Sequence, residues 1–249
     1  MADRVALVTG ANTGIGLAIA ERLLADAYAL GYATQGNDEK HEGPFEELRQ
    51  RYGNAIHWVW GDLSDPKTPE RLVAGTVDNL GRIDVLVNNA GLSTAKPFLE
   101  LSVEDFDLTF HVDVRASFLL TQQAAQRMRS SGGGSVVNVT SVHEHIPRPD
   151  FAVYASAKAA LGMLTRAAAL ELAQYGIRVN AVAPGVIATP RNEEDARKLD
   201  REVPLGRPGK PEEVAALVAW LASDAAAYVT GASYLVDGGM TQQVVNVPA

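Results

Sequence analysis

The chain has 249 residues, no cysteine and a formal net charge of −8. The absence of cysteine excludes a disulfide framework, a thiolate metal site and a thiol nucleophile, and the acidic balance argues against a nucleic-acid binder. Hydrophobic residues make up 47% and charged residues 21% of the chain, the proportions of a globular protein, and no apolar run approaches the ~18–20 residues of a membrane span.

Met1-Ala2-Asp3-Arg4 leads straight into the apolar run Val5–Thr9, with no stretch fit for a signal segment, so a cytoplasmic location is expected. Strand-type runs follow at Tyr28–Ala33, His57–Gly61, Val85–Asn88, Ser135–Thr140, Arg178–Ala183 and Ser233–Val236. Several are apolar throughout, as parallel strands covered on both faces require. Helical patterns alternate with them at Ile15–Leu24, Pro44–Arg51, Pro69–Leu80, Val103–Met128, Tyr154–Gln174 and Glu212–Ala222. This βα rhythm predicts an α/β fold: a single-domain, Rossmann-type, doubly wound parallel sheet of about seven strands, helices on both faces, over residues 1–249.

Thr9-Gly10-Ala11-Asn12-Thr13-Gly14-Ile15-Gly16 stands where the first strand becomes the first helix. Gly10 suits a tight turn, Gly14 lets backbone approach a pyrophosphate, and Gly16 allows close helix–sheet packing. The helix start then offers free N–H groups to the anion. Tyr154 and Lys158 are spaced to share one face of a helix. A free tyrosine has a pKa near 10; a nearby lysine cation lowers it, giving a general acid/base for a carbinol proton. Ser141, at the end of the fifth strand, would hydrogen-bond the same oxygen.

The glycine spacing T-G-x-x-x-G-I-G, Asp62 after the third strand, Asn88-Asn89-Ala90-Gly91 after the fourth and Pro184-Gly185 after the sixth carry a resemblance. On these the chain resembles the short-chain dehydrogenase/reductase family over nearly its whole length. The resemblance implies Ser141, Tyr154 and Lys158 as the catalytic set, with Lys158 also on the nicotinamide ribose. Asp113 occupies a position where the family often has an Asn that completes a tetrad through a water relay. The implied cofactor-binding set is Gly10, Thr13, Gly14, Ile15, Gly16, Thr34, Asp62, Leu63, Asn89, Ala90, Gly91, Thr140, Pro184, Gly185, Ile187 and Thr189, with Tyr154 and Lys158.

Cofactor selectivity is normally set at the end of the second strand, by an acidic residue for NAD or a basic one for NADP. Ala33 and Thr34 stand there, and no carboxylate faces the site unless Asp38 or Glu39 folds back. The expectation is NAD or NADP without sharp selectivity, leaning to NADP.

Substrate contacts are expected from Ser93, His143, Glu144 and Arg191, with the polar stretch Glu193–Glu202 forming a mobile lid (about residues 188–206). Ser141-Val142-His143-Glu144, the Thr-Pro-x-Asn run Thr189 to Asn192 and Asp237–Thr241 resemble bacterial glucose 1-dehydrogenases. Leu92-Ser93 and Ala188 depart from them, the latter where an Asn faces the sugar. The small-molecule substrate is therefore expected to be a sugar or polyol, another sugar, or a less polar ketone or alcohol. Two alternatives stay open: a carbonyl, 3-oxoacyl thioester or imine reductase using NADPH, whose acyl carrier would dock on Arg127–Arg129 or Arg166; and a dinucleotide-sensing protein without catalysis. No metal is expected. The family resemblance implies a homotetramer, with apolar faces around Phe118-Leu119-Leu120 and Met163-Leu164 and a tail at Met240–Ala249 at subunit boundaries.

Overall fold

The computed structural model describes residues 4–190 and 192–242. Val5–Thr9 (β1), Ala29–Thr34 (β2), Ile56–Trp60 (β3), Val85–Asn88 (β4), Gly134–Val139 (β5), Ile177–Pro184 (β6) and Ser233–Val236 (β7) form one seven-stranded sheet. Its order is β3-β2-β1-β4-β5-β6-β7, with neighbouring strands parallel. β1 is buried at every position, because its apolar residues serve two cores. Ala6 and Val8 point into one; Leu7 points into the other.

The first core lies under α1 (Gly14–Ala25), α2 (Glu39–Tyr52) and, further along the chain, Pro211–Ala222. The second lies under α3 (Thr68–Leu80) and two later helices, Ala116–Ser130 and Ala152–Leu172. Helices thus cover both faces, as the doubly wound pattern requires. β1 pairs with both β2 and β4. The winding reverses between β1 and β4, which opens a crevice at their carboxyl ends.

The expected helix Val103–Met128 is interrupted. It runs as α4 (Val103–Phe110), a wider π-type turn over His111–Arg115, and α5 (Ala116–Ser130). The turn carries Asp113, which is fully buried. Hydrophobic spacing cannot reveal an inserted residue of this kind, which keeps the helix direction while shifting its phase. α2 begins five residues before the expected Pro44, so Pro44 lies inside the helix. The added turn is polar, without the apolar period that marks a helix start.

α6 (Ala152–Leu172), α7 (Glu193–Lys198) and α8 (Pro211–Ala222) complete the set. The expected lid helix ends at Lys198, and Asp200–Glu202 forms a separate 3₁₀ turn. Among the described residues no helix is long and apolar enough to cross a membrane.

Candidate active site

The glycine loop is fixed from the β4 side. Thr9 Oγ accepts the backbone N–H groups of Asn89 and Ala90, both at 3.0 Å, and donates to the Val87 carbonyl. Asn89 Nδ2 returns two bonds, to the carbonyls of Thr9 (2.9 Å) and Gly10 (3.3 Å). A Cβ on Gly16 would overlap the Gly10 carbonyl oxygen and stand 2.5 Å from Asn89 Nδ2. Only glycine lets α1 start this close to β4. Gly10 and Gly14 both have positive φ, 64° and 54°, a region glycine enters without strain. Thr13 precedes α1 without making a side-chain cap, leaving the helix start to an external acceptor.

The loop floors a cavity of about 550 Å³. Gly10, Thr13, Gly14, Ile15, Gly16, Thr34, Asp62, Leu63, Asn89, Ala90 and Gly91 line it, together with Thr189 from the chain after β6. A second cavity of about 370 Å³ adjoins it. Ile15, Asn89, Gly91, Leu92 and Thr189 line both, so the two form one cleft across the carboxyl ends of β1, β4, β5 and β6.

Ser141, Tyr154 and Lys158 line the second cavity, with Thr140, Pro184, Gly185 and Ile187. Ser141 lies two residues beyond β5, at the start of the turn Val142–Glu144, where its Oγ accepts the His143 N–H at 3.2 Å. Lys158 Nζ lies 5.5 Å from the centre of the Tyr154 ring and donates to the Val139 carbonyl at 3.3 Å. Beneath it, Asp113 Oδ2 stands 3.0 Å from Lys158 Nζ, with both side chains almost fully buried. Burial alone disfavours the Lys158 cation, but the Asp113 carboxylate outweighs it, with help from Tyr154. Lys158 consequently stands above the ordinary lysine value. The other Asp113 oxygen accepts the Leu92 N–H at 2.8 Å. The Asp113 carbonyl, the atom that would hold a relay water, accepts Ser117 Oγ at 2.9 Å. A Cβ at Gly91 would stand 3.0 Å from both Asp113 Oδ2 and Lys158 Nζ, so glycine there leaves room for the ion pair.

The expected substrate contacts divide. Ser93 and His143 line the second cavity. Glu144 does not: its side chain is 2% exposed and turns toward β7, accepting Ser233 Oγ at 2.9 Å. The turn Val142–Glu144 sends consecutive side chains to different sides, which sequence proximity to Ser141 could not show. Arg191 lies outside the described residues. His143 Nδ1 bonds the Ile146 carbonyl at 3.1 Å, so Nδ1 carries the hydrogen and Nε2 is the acceptor. Burial pushes this imidazole below its usual value, partly opposed by the Ile146 bond.

The family model described as "Enoyl-(Acyl carrier protein) reductase" matches residues 10–241. The chain belongs to the short-chain dehydrogenase/reductase family. The uncharacterized oxidoreductase YohF of Escherichia coli (strain K12) is 44% identical over 243 residues, covering 95% of each chain. Glucose 1-dehydrogenase 2 of Bacillus subtilis (strain 168) is 39% identical over 249 residues, covering 97% of this chain and 96% of that one. Among solved structures, acetoin dehydrogenase from Enterobacter cloacae is 42% identical with a TM-score of 0.89, covering 97% of this chain and 96% of that one. The chain is accordingly an oxidoreductase of alcohol and carbonyl substrates.

The residues of this short-chain dehydrogenase/reductase fit a nicotinamide dinucleotide. The uncapped helix start suits its pyrophosphate, and the continuous cleft joins that point to Tyr154 and Lys158. Further residues complete the site; of these Phe151, Arg148, His41 and Asn138 were not singled out from sequence, whereas Met240 and Asn192 stood in runs that carried the resemblance. Phe151 stacks on His143 at 5.4 Å and meets Tyr154 edge-on at 6.0 Å. Arg148 and Met240 line the second cavity, and His41 lines the first. Asn192 Oδ1 accepts both Thr189 N–H and Thr189 Oγ at 2.8 Å, fixing the chain that closes over Gly14. Asn138 bridges Asn88 and Thr165 inside the sheet, each bond 2.8 Å. A polar residue between valines in β5 was the signal for this last link.

Proposed function

We propose that this chain moves a hydride between NAD(P) and a small secondary alcohol or hydroxyketone by a Ser-Tyr-Lys mechanism. The observation carrying this reading is that Ser141, Tyr154 and Lys158 line one cavity continuous with the glycine-loop cleft. The dinucleotide, when bound, accepts or gives the hydride at its nicotinamide. Tyr154 exchanges the carbinol proton, Ser141 Oγ fixes the oxygen by hydrogen bonding, and Lys158 supplies the positive field that favours tyrosinate. Asp113 keeps Lys158 charged in its buried position.

The substrate cavity supports a small, modestly polar molecule. Leu92, Val142, Phe151, Val186, Leu199 and Met240 line it, and Glu144 is turned away. The similarity to an acetoin dehydrogenase points the same way. A sugar is the second reading, favoured by the 39% identity to a glucose 1-dehydrogenase and by the His143 Nε2 acceptor. Of the residues expected to dock an acyl carrier, one is turned to another contact. Arg129 lies over the Tyr175 ring at 4.6 Å, at the strand-entry end of the sheet, remote from the cleft.

We read the protein as a cytoplasmic homotetramer. Two separate apolar surfaces support the assembly. Phe118, Met163 and Leu170 are exposed on the α3–α5–α6 layer, while Trp220, Tyr228 and Leu235 are exposed around the β7 edge.

Cofactor reduction followed by absorbance tests the reaction, using NAD⁺ and NADP⁺ with secondary alcohols, hydroxyketones and aldoses. Turnover of a small hydroxyketone or alcohol above any aldose is expected, with Tyr154→Phe slower by about 10²–10⁴-fold. Turnover of aldoses alone selects the second reading. Unchanged turnover in Tyr154→Phe overturns the mechanism.

A further inference from the structure

Charge on the walls of the second cavity is one-sided. Among its described lining residues there is no carboxylate, and the full charges are Lys158 and Arg148. Lys158 is neutralised from beneath by Asp113 at 3.0 Å. Arg148 has no such counter-charge. Among the described residues it makes no ion pair and its guanidinium no hydrogen bond. Asp150, the nearest carboxylate along the chain, is exposed and is not paired with it.

The chain holds this cation in place. Pro147 and Pro149 flank Arg148. Each fixes its own φ, and Pro149 also restricts the backbone of the arginine before it. Two hydrogen bonds tie the segment down just before α6. The Asp150 carbonyl accepts the Lys96 N–H at 2.8 Å, and the Arg148 carbonyl accepts the Phe151 N–H at 3.3 Å. The guanidinium lies over the Phe151 ring, 5.6 Å from its centre. The same ring meets His143 at 5.4 Å and Tyr154 at 6.0 Å. Stacking on an aromatic face orients an arginine without consuming its N–H donors. One ring thus links an uncompensated cation to the tyrosine that exchanges the proton. The charge is felt within the cavity, where it adds to the burial that pushes His143 below its usual value.

We propose that the substrate is a secondary hydroxy acid, or the corresponding oxo acid, whose carboxylate is held by Arg148 while its carbinol meets Ser141 and Tyr154. The proposal rests on the oxidoreductase reading of the cleft and narrows it to an anionic member of the small alcohols. A carboxylate accepts two parallel N–H bonds from a guanidinium, the arrangement in which such a pair is strongest. Oxidation needs no further reactant. The carbinol C–H bond breaks, its hydride passes to the oxidised nicotinamide, the hydroxyl proton passes to Tyr154, and the carboxylate is unchanged.

Steady-state oxidation of paired substrates tests this. Racemic 2-hydroxypropanoate, 3-hydroxybutanoate and 5-hydroxyhexanoate are each compared with the methyl ester, which keeps the carbinol and removes the charge. For at least one chain length the wild type is expected to show a kcat/KM about tenfold or more higher for the acid than for its ester. Arg148→Gln should bring that ratio to about one, acting mainly through KM, as does the loss of a contact made equally before and during hydride transfer. Arg148→Lys should keep part of the preference. A thermal midpoint near the wild type in both variants assigns the change to the site and not to folding. Esters oxidised as well as the acids at every length would overturn the proposal and leave the oxidoreductase reading standing. An acid preference that Arg148→Gln leaves unchanged would overturn it in the same way. Failure to turn over any acid, ester, alcohol, hydroxyketone or aldose would overturn both.

Discussion

A carboxylate beside a buried lysine cancels part of the field the lysine exerts on its other neighbours. Asp113, 3.0 Å from Lys158 Nζ, stands in that relation to Tyr154, whose ring centre lies 5.5 Å from the same nitrogen. Its charge also holds Lys158 above the ordinary lysine value against burial. Asp113→Asn removes both effects. With the partner gone, burial prevails at Lys158, which then loses its proton at lower pH, so the alkaline limb of the kcat/KM profile moves toward acid. The expected result is a displacement of that limb by about one pH unit, measured with alcohol as substrate. A lower rate on an unmoved profile would show that Asp113 acts only through packing. This position was legible in the sequence as the place where the family often has the Asn of a tetrad, reaching the Lys through a water, but not as a direct ion pair with Lys158. The π-type turn that brings it under Lys158 leaves no mark in residue type. Tyr154 and Lys158 were legible because their spacing itself implies a shared helix face, and the glycine loop because glycine is the residue such a turn demands.

Gly162 lies inside α6, where alanine would gain roughly 1 kcal/mol of helix propensity. The reason for glycine is the Glu144 carboxylate packed on it: a Cβ there would overlap Oε1 and Cδ. Gly162→Ala is therefore expected to destabilise the protein by about 1–3 kcal/mol in urea unfolding, despite the better propensity. Glu144→Ala should cost about 1–2 kcal/mol through the lost Ser233 bond. The double variant should be more stable than the sum of the two, since the clash needs both groups; strict additivity would show that Gly162 is present for another reason. At α8, Glu213 accepts Lys210 N–H at 2.7 Å and pairs with Arg207, whose hydrogen bonds hold its carboxyl down to about 2. A lowered carboxylate stabilises the fold above its unfolded value and loses that contribution as pH falls toward 2. Glu213 is largely exposed, so solvent screening limits the effect to about 1 kcal/mol or less. Glu213→Gln should accordingly lower the melting temperature slightly at pH 7 and not at pH 2. Element positions were largely legible: the strands came from unbroken apolar runs and most helices from their apolar period. The early start of α2 and the break at His111–Arg115 were not, because neither depends on which residues are apolar.

At the scale of the molecule, the sheet ends in an edge strand, β7, and an open edge is an invitation to pair or be covered. Tyr228 is fully exposed beside it, Leu235 is exposed on it, and Trp220 meets Tyr234 edge-on at 6.0 Å. The α3–α5–α6 layer presents a second apolar surface, with Leu170 83%, Met163 59% and Phe118 45% exposed. The sequence indicated the second surface but assigned it too broadly, since Leu120 points inward at 1% exposed. Helical periodicity gives the apolar positions and not how many of them the chain's own core consumes. The tail beyond Gln242 lies outside the described residues. Two unlike apolar surfaces on one chain, each closing on itself by a two-fold axis, generate a tetramer of dihedral symmetry. Sedimentation equilibrium is expected to give about four times the 26.5 kDa of one chain. Charges placed on one surface should leave the other intact, so Met163→Lys with Leu170→Lys should yield dimers, and Tyr228→Lys with Leu235→Lys should yield dimers of the other kind. All four substitutions together should yield monomers. A wild type that sediments as a monomer would leave both surfaces bare in water and refute the assembly. A tetramer unaffected by either pair would place its contacts on other residues.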